Sequence, residues 1–308
     1  MVTRQLEYLD ALAREGHFGR AAAACHVSQP ALSAGLARLE DELGLTLVRR
    51  GRRYEGLTAE GEALLPWARE AIAALSGFSA EASLLRGQLG GTLRLAMIPT
   101  VATRVGDLLR VFGERHPEVR VEVSTEPTAE IVARVAGHAL DGGLVYLDDL
   151  VLPPGLQTLE LYRDRLVLLT SDGRWPGAGS RTGAARTRGL GREVTWAQAA
   201  ELPLCLLPRV MQNRQLVDRA FAAAGVVAIA QVEADSVAAL VELGLAGNSC
   251  IVAEAWLRGR DLPPEAHVHQ LIEPDVAPTI GLVTRAGPLA SPAARLLREA
   301  LSQRRLPG

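Results

Sequence analysis

The stretch HVSQPALSAGLARLEDELG, residues 26–44, carries the most information in the chain. Ser28 suits a helix N-cap, Pro30 fits the first helical turn, and Gly44 suits the C-terminal stop. Between them Leu32, Leu36, Leu39 and Leu43 recur at spacings of four, three and four, which makes one buried stripe on a helix. The opposite face carries Gln29, Pro30, Ser33, Ala34, Ala37 and Arg38. A helix whose exposed face opens with Gln and Ser can lay its first turn into a DNA major groove.

Upstream, RQLEYLDALARE (residues 4–15) and GRAAAAC (residues 19–25) read as two further helices, the second dense enough in Ala to pack closely. Downstream, LTLVRRGRRYEGLT (residues 45–58) reads as two short strands around a turn at Gly51. Arg49, Arg50, Arg52 and Arg53 cluster there. A charge run at a hairpin tip is usually only a solvated surface. Directly after a helix-turn-helix, a wing that grips phosphates is the better reading. Residues 59–86 then form a long helix, with Leu64, Ala68, Ala71, Leu75, Phe78, Ala82 and Leu85 at heptad spacing. That pattern predicts a seam with a second copy, with packing on its own domain as the alternative. Pro66 should bend the helix near its start.

Composition sets the frame around this. A chain of 308 residues is long enough for two or three domains. With 48% hydrophobic and 22% charged residues, it has the balance of a soluble globular protein. No apolar run reaches bilayer length, and MVTRQLEYLD lacks the apolar stretch of a signal peptide, so a cytoplasmic protein is expected. Cys25, Cys205 and Cys250 lie far apart, which predicts buried small hydrophobes and neither a disulfide nor a metal site. The net charge of −2 excludes a generally polycationic surface but leaves room for one basic patch. Every basic residue counted is Arg. The histidines His17, His26, His116, His138, His267 and His269 have no partnered nucleophile or metal-ligand spacing, so neither catalysis nor a cofactor is expected.

Over essentially its full length the sequence resembles the LysR-type transcriptional regulators. The matching phrases are AAAACHVSQPALSAGLARLEDELGLTLVRR, LTAEGEALLPWA, GTLRLAMIPT and LLRVFGERHPEVRVEV. The resemblance implies a sequence-specific regulator of transcription that binds double-stranded operator DNA and answers to a small-molecule effector. Homodimers would pair into homotetramers, with RNA polymerase as a further partner. Carried over, Gln29, Pro30 and Ser33 approach bases and sugar-phosphate, Arg38 and the wing arginines hold phosphates, and Ser28 caps the helix. Ala34 and Gly35 stand where the family often has Arg and a polar residue, and Gly35 should weaken the helix by about 1 kcal/mol relative to Ala.

RGQLGG (residues 86–91) reads as a joint, and beyond it apolar strands alternate with amphipathic helices in the rhythm of a parallel α/β sheet. The resemblance makes this two lobes like those of periplasmic binding proteins. The expected organisation is a winged helix-turn-helix over 1–58, a linker helix and hinge over 59–91, and an α/β effector domain over 92–308. Its lobe I would hold 92–162 and 267–308, and lobe II 163–266. Ligands bind outside the carboxyl ends of strands in open α/β sheets. That rule selects Pro99, Thr100 and Thr103, and then Ser124, Thr125 and Thr128. The second lobe offers Met211, Gln212, Asn213 and Arg214 at one helix start, and Asp235 with Ser236 at another. Helix N-termini with hydroxyls favour a small anion, although ordinary helix caps look the same. Arg214 is the expected charge partner.

GRWPGAGSRTGAARTRGLGR (residues 173–192) carries five arginines and no acid, the composition of a mobile insert. LVYLDDL and PLCLLPRVMQNRQLVDRAF resemble a subgroup of these regulators associated with formate and one-carbon oxidation genes, which does not fix the effector. The alternative from another class is an enzyme or transport-type binding protein with an appended helix-turn-helix. It would need a convergent acid–base pair or nucleophile, or an export signal.

Overall fold

A computed structural model describes residues 3–50, 54–86, 90–171, 192–287 and 290–303. Arg52, Arg53, the side chain of Arg50 and most of the Arg-rich 173–192 segment lie outside the described residues, as do 87–89 of the joint.

The N-terminal unit is three helices and a hairpin: α1 (Thr3–Glu15), α2 (Phe18–Ala24), α3 (Gln29–Leu43), β1 (Val48–Arg50) and β2 (Tyr54–Leu57). Leu32, Leu36 and Leu39 of α3 are buried against Leu9, Leu12 and Ala21, so the leucine stripe is the core of this unit. Leu43, the last member of the stripe, is exposed, because the helix ends at Gly44 in the left-handed conformation before it meets a partner. Gly35 has a reason that helix propensity does not reveal. A Cβ there would stand 2.6 Å from the ring of Tyr8, so the missing side chain lets α1 and α3 approach. Glu40 fixes the hairpin to α3, its Oε1 accepting the backbone N–H groups of Leu47 at 2.8 Å and Val48 at 3.0 Å.

The linker helix α4 (Ala59–Leu85) is capped by Thr58 and runs unbroken through Pro66. Its heptad stripe divides into two parts. Leu64, Ala68 and Ala71 pack on the N-terminal core, as the intradomain alternative required. Leu75, Phe78 and Leu85 are exposed, Phe78 at 76% and Leu85 at 82%.

The C-terminal part is two lobes, each a sheet flanked by helices. In the first, β3 (Gly91–Met97), β4 (Val119–Thr125), β5 (Gly142–Tyr146), β6 (Leu156–Arg163) and β13 (Thr279–Arg285) line up as β4-β3-β5-β13-β6. The three strands β4, β3 and β5 are parallel, and β13 runs antiparallel between β5 and β6. The helices α5 (Val105–Arg115) and α6 (Thr128–Ala136) make the crossovers. The second lobe holds β7 (Leu166–Ser171), β8 (Glu193–Thr195), α7 (Trp196–Ala200), β9 (Leu204–Leu206), α8 (Gln212–Ala223), β10 (Ala230–Glu233), α9 (Val237–Leu245), β11 (Ser249–Ala253) and β12 (Ala266–Ile272). Its sheet order is β10-β9-β11-β7-β12-β8. Helix α10 (Pro292–Ser302) returns to pack on the first lobe.

The chain crosses between sheets at 164–165 and again at 273–278, since β12 pairs with β7 and β8. The expected boundary between 266 and 267 is therefore moved by one strand, with β12 in the second lobe. The crossing segments are bonded to each other, Asp164 N–H donating to Pro278 O at 2.9 Å and Leu166 N–H to Val276 O at 3.0 Å.

Candidate functional site

Two faces could carry function. The first is the start of α3. The Ser28 side chain accepts the Ala31 N–H at 3.3 Å, which satisfies an N-terminal donor the helix cannot use itself. Gln29, Pro30, Ala34 and Arg38 are exposed and Ser33 is half-buried, so the predicted reading face is open to a partner. Arg49 is also exposed, but its Nε donates to Leu57 O at 2.7 Å, leaving the remainder of the guanidinium for a phosphate. His17 caps α2, its Nδ1 accepting from Gly19 N–H at 3.0 Å. A His-Phe-Gly start is a weak cap signature, and the sequence reading missed it.

The second face lies where the lobes meet. Thr100, in the 3-10 turn Pro99–Thr103 after β3, is 2% exposed. Its Oγ1 accepts from Tyr146 Oη–H at 3.0 Å and, at a longer 3.5 Å, from Asn213 Nδ2–H. Asn213 Nδ2 also donates to Tyr146 Oη at 3.0 Å. Trp256 of the second lobe donates its indole N–H to Thr100 O at 3.0 Å. A hydroxyl has one proton and two acceptor sites. With its acceptor side occupied, the Thr100 hydroxyl still holds a donor. Thr128 and Gln212 bond side chain to side chain across the lobes, and Arg219 pairs with Asp149 at 2.7 Å.

Thus Thr100, Thr128, Gln212 and Asn213 come together, and Pro99 sits half-buried in the same turn as Thr100. The other candidates do not join them by any bond. Thr103 and Thr125 are exposed, and Ser124 donates to Glu126 at 2.5 Å. Met211 is the residue preceding α8 and packs on the second lobe's core. Asp235 is exposed, and Ser236 is the ordinary cap of α9, accepting from Ala239 N–H at 3.4 Å.

Arg214 overturns its expectation as an effector partner. It is 2% exposed and turned into the second lobe, bonded to Leu207 O at 2.7 Å, Asp218 at 2.8 Å and Glu233 at 3.3 Å. A guanidinium buried in this way is satisfied by these acceptors.

Behind Thr100 lies a polar cluster that the sequence reading missed. Tyr146 and Tyr162 are buried, and burial raises both phenols. The Arg104 guanidinium stacks 4.4 Å from the Tyr162 ring centroid. Asp164, at the crossing, is pushed up to about 6 by burial, against the opposing pull of the Ala255 N–H and Arg104. Asp164 Oδ2 and Tyr162 Oη are buried without a hydrogen-bond partner.

The comparisons with known proteins agree with this architecture. The profile described as "Bacterial regulatory helix-turn-helix protein, lysR family" matches residues 3–62, and that of the "LysR substrate binding domain" matches residues 86–305. The chain belongs to the LysR family. It is a DNA-binding transcriptional regulator with an effector-binding domain. It is 31% identical over 302 residues to the HTH-type transcriptional regulator IlvR of Caulobacter vibrioides, covering 97% of each chain. It is also 38% identical over 167 residues to a "Probable hydrogen peroxide-inducible genes activator" of Streptomyces viridosporus, covering 54% of this chain and 53% of that one. The chain thus spans about half the length of that relative. A full-length, singly substituted OxyR of Pseudomonas aeruginosa shares the fold, with a TM-score of 0.75, 22% identity and 98% of each chain covered. Among the described residues of this LysR-family regulator, no helix is long and apolar enough to cross a membrane. None of its described His, Cys, Asp and Glu side chains form a group of three that could hold a metal.

Proposed function

We propose that this regulator answers to a small anion held between its two lobes, in the cytoplasm where operator DNA is found. The observation that carries the reading is the Thr100 hydroxyl, buried between Tyr146 of one lobe and Asn213 of the other with its proton uncommitted to either. A ligand shifts an equilibrium only through different affinity for two states. Contacts supplied by both lobes exist only when the lobes close, and this supplies the difference. Gln29 and Ser33 read bases, while Arg38, Arg49 and the arginines that follow hold phosphates. The exposed Leu75, Phe78 and Leu85 pair two copies into a dimer, dimers pair into tetramers, and RNA polymerase is the downstream partner.

The name of the Streptomyces relative raises peroxide as an alternative signal. The thiols here are poor candidates, since a thiolate is the reactive form. Burial raises all three, Cys205 to about 11, and Cys205 and Cys250 are inside the second lobe's core.

Fluorescence anisotropy on the intergenic DNA beside its own gene, with and without a panel of carboxylates, tests the proposal. Thr100→Val nearly conserves shape, so basal DNA binding should survive. The ligand response should weaken by about 1–3 kcal/mol through the unsatisfied partner. An unchanged response would remove Thr100 from the site.

A further inference from the structure

A second groove lies on the first lobe, lined by none of the residues placed in the cleft. It is an open groove of about 540 Å³ between β6 and α10, a volume in the range of small-molecule sites. Strand β6 is the edge of its sheet, and Gln157 and Leu159, two apart, face the same way. On α10, Arg295, Arg298, Glu299 and Ser302 line the facing wall. Arg298 makes no ion pair among the described residues, and its Nη1 is buried without a hydrogen-bond partner. Nη1 is sealed from solvent, so the edge of the guanidinium that lines the groove is what a carboxylate or phosphate oxygen would meet.

The groove also touches two of the ties between the linker helix and this lobe. Arg295 pairs with Glu81 of α4. Gln157 donates its side-chain N–H to Arg285 O at 3.0 Å, and the Arg285 guanidinium grips Glu70 of α4. The Arg295–Glu81 pair is open on both sides, at 40% and 42% exposure. Pairs of that kind are weak and easily exchanged.

We propose that this groove is a second effector site for a small anion with two or more carboxyl or phosphoryl oxygens in reach of both arginines. One group neutralises Arg298. The other takes Arg295 from Glu81, which loosens the C-terminal half of α4 while Leu84 stays packed on the lobe's core and Glu70 stays held. Leu75, Phe78 and Leu85 lie on that loosened half, so occupancy changes how the linker presents its apolar face. This site is independent of the cleft around Thr100.

Calorimetric titration of the full-length protein with succinate, citrate and inorganic phosphate tests it, and the three arms separate carboxylate from phosphate chemistry. At least one should bind. Arg298→Gln should weaken it roughly tenfold, as expected for a lost charged hydrogen bond. Glu81→Gln removes the competing carboxylate and should tighten it. Thr100→Val should leave it unchanged. Amide exchange over 75–85 should rise with ligand in the wild type and stand raised already in Glu81→Gln. The proposal is overturned if none of the three binds, or if Arg298→Gln binds as the wild type does. Equal affinity in Glu81→Gln, or dependence on Thr100, overturns it equally.

Discussion

Glu70 on the linker helix and Arg285 at the end of β13 meet in a two-point ion pair, with Nη2 3.1 and 3.2 Å from the two carboxylate oxygens. His138 Nε2 adds a contact at 2.9 Å, and Arg285 Nη1 donates to Ala136 O at 2.6 Å. One residue earlier, Arg69 donates to Asp10 of α1 at 2.6 Å. Two successive residues of α4 therefore fasten the DNA-binding unit and the effector domain to one rod.

The Glu70 carboxyl is held below the usual carboxylate range, first by its bond to His138 and then by Arg285. Its lowered value means the clamp is complete above that range and is lost as pH falls through the depressed value. Glu70→Gln should therefore increase amide exchange in residues 70–74 and 136–140 at neutral pH. Wild type and variant should converge once the pH is below the depressed value of Glu70. A difference that persisted in acid would mean that the effect is packing and not charge.

Helix propensity alone says that Gly35→Ala strengthens α3 by about 1 kcal/mol. The contact with Tyr8 says the reverse. A Cβ at 2.6 Å from a buried ring must push α1 off α3, and overpacking of that kind costs about 1–3 kcal/mol. Denaturation of the full chain carrying this substitution alone should show a less stable N-terminal unit, with Tyr8→Leu relieving the loss. A more stable Gly35→Ala protein would rule out the steric account.

What the sequence made legible was local. The stripe Leu32, Leu36, Leu39 and the Ser28 cap are periodic or adjacent features, and each is where its spacing put it. The linker seam was only half legible, because four-three spacing serves an intradomain face at Ala68 as well as a free face at Phe78. Arg214 was misread because Leu207 and Glu233, which with Asp218 bury it, come from other segments, and nothing in QNRQL announces them. Tyr146 could have been found. It ends β5, and the strand-end rule that selected Thr100 after β3 applies to it equally. Trp256 had no such signal, since its place depends on the crossing between lobes.

Asp164 sits at that crossing with its acid pushed up to about 6 by burial. Between the ordinary Asp range and that value the unfolded chain has lost a proton that the folded chain keeps. Stability therefore falls as pH rises through this window, and the penalty stays in place above it. Asp164→Asn keeps an acceptor for the Ala255 N–H and removes the charge. It should stabilise the effector domain at neutral pH by at most about 3 kcal/mol. At about pH 4 the gain should vanish. Thermal unfolding at the two pH values checks this, and an equal shift at both would exclude titration of Asp164.

Leu75 and Phe78 stand exposed on the linker at 48% and 76%. Large apolar side chains adjacent on a helix and left open usually mark an interface. Leu75→Glu with Phe78→Glu places like charges in the pairing face without touching the N-terminal core. Sedimentation should show loss of the dimer, and operator affinity should fall with it. An unchanged oligomer would assign the contact to another surface.

Gln29 is the first residue of α3, exposed, with its backbone fixed by the Ser28 cap and by Pro30 in the first turn. An amide carried there can bond bidentately to a base edge, which distinguishes sequences. Arg38 lies further along the exposed face, where a guanidinium can reach phosphate but carries no sequence information. The two substitutions should therefore fail differently. Gln29→Ala should cost about 1–3 kcal/mol of discrimination between operator and scrambled DNA, with the salt dependence kept. Arg38→Ala should weaken both DNAs alike and reduce the salt slope by about one ion. Neither touches the buried stripe, so both proteins should fold. Anisotropy titrations across a salt series on the two duplexes separate the outcomes, and the reverse pattern would exchange the roles of the two residues.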